Sequence, residues 1–246
     1  MFKKTLSIVY FTTFLFPVVF LGQASGADHV VVAQSLSQAG EMTYRRAEEG
    51  HARSQFEIGL RYELGLGVEQ SYSDAFYWYH RAAEQGNMGG QHSLGRLYES
   101  GLGVTQSYRQ AFHWHRLAAE QGNHQSGSKV GVMLYNGRGV PQNYEKASQW
   151  LKKAGAEGNS EALYYLGIMH LKGRGVEENK VMAYIMFNLS AASGNDDARH
   201  QRDHIHDELT HEQVREGQRL ASQWEMDMQR ELEAPLPGAD EVTTWP

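Results

Sequence analysis

The chain has 246 residues, a formal net charge of −6 and no cysteine. Hydrophobic residues make up 41% of it, which is enough for a continuous core. The lack of cysteine excludes disulfides, thiolate nucleophiles, cysteine-based zinc sites and a lipidated N-terminal cysteine. Because acidic and basic residues are mixed along most of the chain, no basic stripe is available to follow a phosphate backbone. We therefore expect no nucleic-acid partner.

The first 27 residues have the three-part layout of a secretory signal peptide. Two lysines precede an apolar stretch and small residues follow it, so we expect cleavage after Ala24 or Ala27. An uncleaved membrane anchor is the alternative, but Thr12, Thr13 and Pro17 interrupt the stretch, which is short for a span of about 20 residues. The mature protein is therefore expected to be periplasmic or secreted.

A repeat of 36 residues runs through most of the chain without insertion or deletion. Each copy contains a Gly-x-Gly-Val motif, and glycine, alanine and tryptophan return at further fixed positions. The clearest equivalents are Gly65, Gly101, Gly137 and Gly173; Gly67, Gly103, Gly139 and Gly175; and Trp78, Trp114 and Trp150, with Met186 in the fourth place. Four copies that agree at independent positions predict a repeat architecture.

Each copy predicts two antiparallel helices, A and B, joined by a short loop. The motif glycines can adopt positive φ, which ends helix A and turns the chain into helix B. In the first copy, Ile58, Gly59 and Tyr62 share one face of helix A, where the glycine allows a neighbouring helix to approach closely. The periodic tyrosines and tryptophans are expected in the core. Since one hairpin cannot bury its apolar face alone, successive hairpins must stack into a solenoid with a concave surface.

The segment from Gln85 to Asn123 resembles a Sel1-like repeat: QGNMGGQHSLGRLYESGLGVTQSYRQAFHWHRLAAEQGN. An ordinary tetratricopeptide unit has about 34 residues, whereas this period is 36 and carries the Gly-x-Gly-Val loop typical of the Sel1-like branch. The resemblance covers about residues 35 to 209. It implies an all-α fold, a right-handed tetratricopeptide-like α-solenoid, and an adaptor role in protein complexes. It implies no particular partner.

The register predicts four complete repeats between two caps. The expected boundaries are a signal peptide over 1–27, a linker and N-terminal capping half-repeat over 28–47, repeats over 48–83, 84–119, 120–155 and 156–191, C-terminal capping helices over 192–232, and a disordered tail over 233–246. The half-repeat follows because the segment from Ser35 to Ala39 lies one period before that from Ser71 to Ala75. Near the other end, Thr210 with Gln213 predicts a capping box that starts the terminal helix.

Catalysis has little support in the sequence. There is no Gly-x-Ser-x-Gly elbow, no cysteine nucleophile, and no carboxylate pair that the repeat places across a cleft. The glycine motifs do not predict a phosphate cradle, because no strand precedes them and no Lys-Ser/Thr follows. We therefore expect a protein that is not an enzyme and has no cofactor.

His200 and His204 are the candidate metal ligands. Their i, i+4 spacing on one helical face can chelate zinc or copper. A solvated terminal helix explains the same histidine-rich run, and nothing in the sequence identifies a second shell that would orient the imidazoles. A metal- or cell-wall-binding module that uses this run is therefore an alternative function.

A partner-binding surface is expected where the repeats differ, because repeated positions serve packing and variable positions are free to contact a partner. The variable positions on helix A, away from Ile58 and Tyr62, are Arg53, Glu57, Leu60, Ser93, Arg96, Gln125, Lys129, Val132, Glu161, Tyr165 and Ile168. We call this set the A-helix stripe and expect it on the concave face. Its mixture of charged and apolar residues suits an extended peptide or a helix better than a small molecule. An ordinary solvated face is the alternative interpretation.

Together these features predict a non-catalytic scaffold or adaptor of the bacterial cell envelope. It would bind a polypeptide segment on its concave face and so regulate or assemble an envelope complex. A secreted factor that interacts with a host is a further alternative, since the same signal permits it. The expected partner is a protein or peptide, and membrane contact would arise only through that partner or an uncleaved signal anchor.

Overall fold

The fold is described from a computed structural model of the chain, in which residues 40–217, 219 and 220 are described. The expected signal peptide, most of the linker, the end of the terminal helix and the expected disordered tail lie outside these residues. The described residues form helices and turns without any strand, which confirms the expected all-α class. No helix among them is long and apolar enough to span a membrane.

The helices follow the predicted period. Helix α1 covers residues 40–48 of the described chain, and α11 covers 211–217 with 219 and 220. Between them lie α2 (Ala52–Leu64), α3 (Tyr72–Glu84), α4 (Met88–Ser100), α5 (Tyr108–Glu120), α6 (His124–Asn136), α7 (Tyr144–Ala156), α8 (Ser160–Lys172), α9 (Lys180–Ala192) and α10 (Asp196–His206). Helices α2, α4, α6 and α8 begin 36 residues apart, as do α3, α5, α7 and α9, so they are the A and B helices of the repeats.

The chain divides into two compact units, Met1–Gln106 and Ser107–Pro246. In the first unit, α2 packs against α3, and α3 packs against α4. In the second unit, each helix from α5 to α10 packs against the next one in the chain, and α6 also contacts α8. A helix A in the second unit therefore contacts the following helix A as well as its own helix B, as expected for stacked hairpins.

Polar side chains cap the starts of helices α3 to α10, whereas α2 has no side-chain cap. The side-chain oxygen of Asn87 accepts a hydrogen bond from the backbone N–H of Gly90 at 2.8 Å, at the start of α4. The same cap starts α6, α8 and α10, and serine or asparagine caps every helix B. The remaining cap residues are Asn123, Asn159 and Asn195 on the A helices and α10, and Ser71, Ser107, Asn143 and Asn179 on the B helices.

The second glycine of the Gly-x-Gly-Val loop allows adjacent repeats to approach closely. A Cβ atom on Gly139 would lie 2.3 Å from the carbonyl oxygen of Tyr108, the first residue of the preceding helix B. The equivalent distances are 2.2 Å from Gly103 to Tyr72 and 2.4 Å from Gly175 to Tyr144. Since no side chain fits in this space, only glycine lets the loop rest on the start of the preceding repeat's helix B.

The glycine in the middle of helix A serves close packing, as predicted. A Cβ atom on Gly59 would lie 2.6 Å from the ring of Tyr79 on α3. The equivalent pairs in the second unit, each also at 2.6 Å, are Gly131 with Leu151 and Gly167 with Phe187. Each of these glycines therefore lets helix B of the same repeat pack directly against the backbone of helix A.

A repeated glutamine, not singled out in the sequence, ties the loop to helix A. The side-chain amide of Gln70 donates to the carbonyl oxygen of Glu63 at 2.7 Å. The same bond joins Gln106 to Glu99 and Gln142 to Tyr135, both at 2.8 Å. In the fourth repeat a glutamate replaces the glutamine, and Nδ1 of His170 lies 3.2 Å from the carbonyl oxygen of Glu177 instead.

The periodic aromatic residues are buried to different extents. Trp78 and Trp150 are buried, as expected, whereas Trp114 is only half-buried. The ring of Trp114 meets the ring of exposed His113 edge to face, with centroids 5.0 Å apart. The tyrosines that begin the B helices are partly buried, because they lie at the helix ends where the loops cross. The expectation that all of these residues form the core is therefore wrong for the tyrosines and for Trp114.

Two end elements pack onto the repeats. At the N-terminal end, Ala47 of α1 is fully buried and accepts a hydrogen bond from the Gln55 side chain at 3.0 Å, just as Ala83 accepts one from Gln91 at 3.3 Å. Helix α1 therefore takes the place of a helix B before α2. At the other end, buried Gly217 of α11 faces Val181 of α9, 3.1 Å from where its Cβ would lie.

The predicted capping box at the start of α11 is confirmed by two hydrogen bonds. The backbone N–H of Thr210 donates to Oε1 of Gln213 at 2.8 Å. The backbone N–H of Gln213 donates to Oγ1 of Thr210 at 3.2 Å. Helix α11 therefore begins where the sequence places it.

Replacing Gly139 by alanine should destabilise the protein more than the same change at Gly122. Both glycines have positive φ, of 75° and 96°, but a Cβ on Gly122 would meet nothing within 4 Å. We expect Gly122→Ala to lower the free energy of unfolding by about 1–2 kcal/mol through backbone strain alone. Gly139→Ala adds the clash with Tyr108 and should lower it by about 2–5 kcal/mol. Urea unfolding measures both, and equal losses would contradict the stacking role of Gly139.

His170 should make stability depend on pH. Burial lowers its pKa below the ordinary value, the hydrogen bond to Glu177 opposes this shift, and the charge of Lys152 adds to it. Because the folded-state pKa is the lower one, stability is full above the unfolded-state pKa of about 6.5 and falls as the pH drops through it. The free energy of unfolding should therefore decline less between pH 7.5 and 5.5 in His170→Gln, whose amide keeps a donor for Glu177. An equal decline in both proteins would show that His170 is not responsible.

Candidate functional site

In the first unit, the α2 part of the A-helix stripe is an exposed face with apolar and charged residues. Arg53 and Glu57 form an i, i+4 ion pair with Nε and Oε1 3.2 Å apart. Leu60 is 37% exposed. One turn further on, Leu64 continues the same face and is 56% exposed. It was not among the predicted stripe residues. The two leucines give α2 an accessible apolar surface beside a charged pair.

Ser93 is wrongly included in the stripe. It is only 6% exposed, so a partner cannot reach it. Its side chain acts to lower the pKa of Tyr79, against the larger raising effects of burial and of Glu63. The small serine side chain lies in a buried polar cluster instead of on the surface, because Tyr79 and Glu63 from the two preceding helices meet there.

Arg96 of the stripe is fixed by this same cluster. Its Nη2 lies 2.6 Å from Oε1 of Glu63, and the Tyr79 hydroxyl donates to Oε2 of Glu63 at 2.6 Å. The Glu63 side chain is 9% exposed and the Arg96 side chain 44%. Burial, followed by the hydrogen bond and charge of Glu63, raises the pKa of Tyr79, so the hydroxyl stays protonated as a donor. Arg96 is therefore held in place by a buried carboxylate and still accessible.

In the second unit, an ion pair joins the stripe residues of neighbouring A helices. Lys129 Nζ on α6 lies 3.1 Å from Oε1 of Glu161 on α8. The hydroxyl of Ser128 donates to the other carboxylate oxygen of Glu161 at 3.2 Å. About a third of each side chain of the ion pair is exposed. The pair connects the two helices and remains open to solvent.

Aromatic rings lie next to this ion pair. The ring of Tyr165 meets those of Tyr135 and Tyr164 edge to face, with centroids 5.4 and 5.6 Å apart. Val132 and Ile168, the other apolar stripe residues of the second unit, are partly buried and pack against the core. Gln125 is exposed near the start of α6. Tyr165 is likewise partly buried against the core, so the second unit presents the ion pair together with partly accessible apolar side chains.

The variable residue of the Gly-x-Gly-Val loop, which lies outside the stripe, also differs between the two units. It is Leu66 and Leu102 in the first unit, where both are exposed. In the second unit it is arginine: Arg138 lies over the ring of Tyr108 at 4.9 Å, and Arg174 over that of Tyr144 at 5.5 Å. Nη1 of Arg174 also donates to the hydroxyl of Tyr135 at 2.8 Å. This change from leucine to arginine at a fixed repeat position can be read from the sequence.

His200 and His204 both lie exposed on α10. Nε2 of His204 is 3.9 Å from a carboxylate oxygen of Glu208. Across residues 40–217, 219 and 220, no group of three or more histidine, cysteine, aspartate or glutamate side chains converges on a position for a metal ion. Metal binding by the pair stays a prediction.

The described stripe can form ion pairs and apolar contacts with a polypeptide. Its charged groups form ion pairs along or between the A helices, and Arg96 does so with Glu63 from outside the stripe. Its apolar side chains are exposed at Leu60 and Leu64 and partly buried in the second unit. Preformed ion pairs hold long side chains in one geometry before a partner arrives, which reduces the entropy lost on binding. Such a surface is suited to recognition.

Comparison with known proteins identifies the repeat. The family model of the Sel1 repeat matches residues 52–87, 90–123, 128–159 and 160–195. Proteins built from this repeat are typically protein-interaction scaffolds and are generally non-catalytic. No curated protein matches the chain.

Two solved structures are similar over much of the chain. One is a protective antigen present in uropathogenic Escherichia coli strains, with an SLR fold. It is 31% identical with a TM-score of 0.65, and the match covers 79% of this chain and 43% of that one. The other is a Sel1 repeat protein from Oxalobacter formigenes, 30% identical with a TM-score of 0.59, where the match covers 67% of this chain and 73% of that one. This chain thus spans less than half of the first protein.

The repeat model accounts for more than half of the residues, and its four matches coincide with the four helical hairpins. The chain therefore belongs to the Sel1 repeat family.

Proposed function

We propose that this protein is a non-catalytic adaptor that binds a polypeptide segment on the A-helix stripe and so assembles or regulates a complex of the bacterial cell envelope. The observation that carries the proposal is the pairing of accessible apolar side chains with charged side chains already held in place by ion pairs. The proposed surface omits Ser93, which is buried, and gains Leu64.

In the first unit, the geometry favours a segment with an apolar residue near an acidic one. Leu60 and Leu64 would cover the apolar residue, and burying apolar surface contributes about 25 cal/mol per Å². Arg96 would receive the acidic group, because Glu63 already fixes its position at 2.6 Å. Both interactions need only small changes in this surface.

In the second unit, a segment would lie across α6 and α8. Tyr165 offers a large rigid apolar surface with few rotatable bonds, which suits a binding anchor. Lys129 and Glu161 offer groups of both signs, 3.1 Å apart, for polar side chains or backbone groups of the partner. An extended peptide or a helix can reach both features.

The proposed location outside the cytoplasm rests on the N-terminal pattern of lysines, apolar residues and small residues. A secreted factor that interacts with a host is a second candidate, favoured by the description of the E. coli relative as a protective antigen. Fractionation of the producing cells separates the two: periplasmic retention supports the envelope adaptor, and recovery from the medium supports the secreted factor.

Leu60→Gln/Leu64→Gln should weaken partner binding at least about tenfold, because it removes the apolar part of the stripe. Leu66→Gln/Leu102→Gln is the matched control, with two exposed loop leucines outside the stripe changed in the same way. The partner is identified by crosslinking in living cells and mass spectrometry, and its affinity is measured by calorimetry. Both variants should unfold close to the wild-type temperature, since surface substitutions change stability by about 0.5 kcal/mol or less. Equal affinities of the two variants would reject the stripe as the site.

Arg96→Ala should lower the free energy of unfolding by about 1–3 kcal/mol, because it leaves the buried Glu63 carboxylate without its cation. Adding Glu63→Gln should restore part of this loss, since the neutral amide is less costly to bury. Urea unfolding of the single and double variants measures the coupling. Additive losses would show that the ion pair does not hold Arg96 in place.

A further inference from the structure

A cavity of about 890 Å³ lies in the first unit between α1, α2 and the first Gly-x-Gly-Val loop. Its walls include Gly40 and Tyr44 from α1, Ile58 and Tyr62 from α2, and Val68 from the loop. No residue of the A-helix stripe lines it. Its volume lies within the range of small-ligand sites, about 300–1,000 Å³.

The next repeat shows what fills the equivalent space. One period after Gly40 comes Phe76 of α3, whose ring meets that of Tyr98 at 5.4 Å and an interplanar angle of 84°. The same ring lies 5.8 Å from that of His80. Tyr98 and His80 are the equivalents of Tyr62 and Tyr44. In the first unit α1 has Gly40 at this position, so the equivalent ring is missing, and the guanidinium of Arg61 lies nearest to where a Cβ of Gly40 would be.

The first unit has the residues equivalent to those that contact the Phe76 ring, but it has no ring at the position of Phe76. Tyr44 is 38% exposed, and Tyr62 is partly buried. Burial, together with the adjacent Tyr44 hydroxyl, raises the pKa of Tyr62, so its hydroxyl is neutral at physiological pH. Two aromatic side chains beside Ile58 form a surface on which another ring can pack edge to face.

The rim of the cavity carries an excess of negative charge. Four carboxylates line it, against two guanidinium groups. The carboxylates belong to Glu41, Glu48, Glu69 and Asp74, and the guanidinium groups to Arg45 and Arg61. All four carboxylate residues are exposed. This charge favours cationic groups on whatever enters.

We propose that this cavity binds an aromatic side chain of a partner polypeptide whose neighbouring residues are basic. The ring packs beside Tyr44 and Tyr62, the equivalents of the residues that Phe76 meets on α3 and α4, and the basic side chains lie beside the acidic rim. The inference rests on the proposed protein-binding role only for the class of partner. The cavity and the A-helix stripe are separate sites, so an experiment can reject one of them and leave the other supported.

Filling the cavity from within tests the proposal. A Cβ atom on Gly40 would lie 3.1 Å from Nη1 of Arg61, the far end of a flexible side chain, so a larger residue can enter. Gly40→Phe places a ring in the cavity, and Gly40→Ala is the control, which gains more helix propensity than Gly40→Phe but adds no ring. We expect Gly40→Phe to raise the unfolding temperature above that of Gly40→Ala.

The probe is the peptide acetyl-Gly-Lys-Trp-Lys-Gly-amide, titrated by calorimetry into the full chain. Wild type, Gly40→Ala and Leu60→Gln/Leu64→Gln should bind it alike, and Gly40→Phe at least about tenfold more weakly, since an anchor pocket is blocked. Replacing tryptophan by alanine, or both lysines by glutamate, should weaken binding to wild type by a similar factor. Equal binding by Gly40→Phe and wild type, or no binding by wild type, overturns the proposal.

Two other occupants give different results. If residues of this chain before Gly40 fill the cavity, wild type does not bind the peptide and Gly40→Phe unfolds below Gly40→Ala. If a second copy fills it, sedimentation shows a dimer that Gly40→Phe dissociates. Either result overturns the proposal, whereas a monomer that binds the peptide supports it.

Discussion

A backbone contact at the second loop glycine determines how neighbouring repeats stack within each unit. Where Gly139 meets the carbonyl oxygen of Tyr108, a Cβ atom would lie only 2.3 Å away, so the loop and the preceding helix B are as close as their backbones allow. Gly103 and Gly175 repeat the contact. With this distance fixed, each repeat adds the same 36 residues and the same packing face. Positions on the outer face of helix A are then free to vary, and recognition can differ among proteins built on one backbone.

The proposed recognition surface depends on polar contacts that connect different helices. Arg96 reaches Glu63 from α4 to α2, and Lys129 reaches Glu161 from α6 to α8. These ion pairs both brace the A helices and present charge to solvent. The adjacent apolar groups differ between the units, with exposed leucines in the first and Tyr165 beside other tyrosines in the second. A polypeptide partner can use both kinds of contact.

Features set by local sequence could be predicted, and features set by contacts between distant helices could not. Thr210 and Gln213 form the predicted capping box, because it needs only residues three apart. The fate of Ser93 depends on Tyr79 and Glu63 from two other helices, so its position on the helix gave no warning of burial. Leu64 was not predicted, because it is the last residue of α2 and lies one turn beyond the stripe residue Leu60. The cavity beside Gly40 became visible only when α1 could be compared with α3 in space.

Hydrogen exchange measured by mass spectrometry, with and without the partner captured from cells, tests the central claim most directly. Binding on the stripe predicts slower exchange in the A helices, which are α2, α4, α6 and α8. The B helices α5 and α7 should change little. Because different proteolytic peptides can report on different helices, protection of the A helices can be distinguished from protection elsewhere in the chain. Slower exchange confined to the B helices, or to α10 with its histidines, would contradict the account.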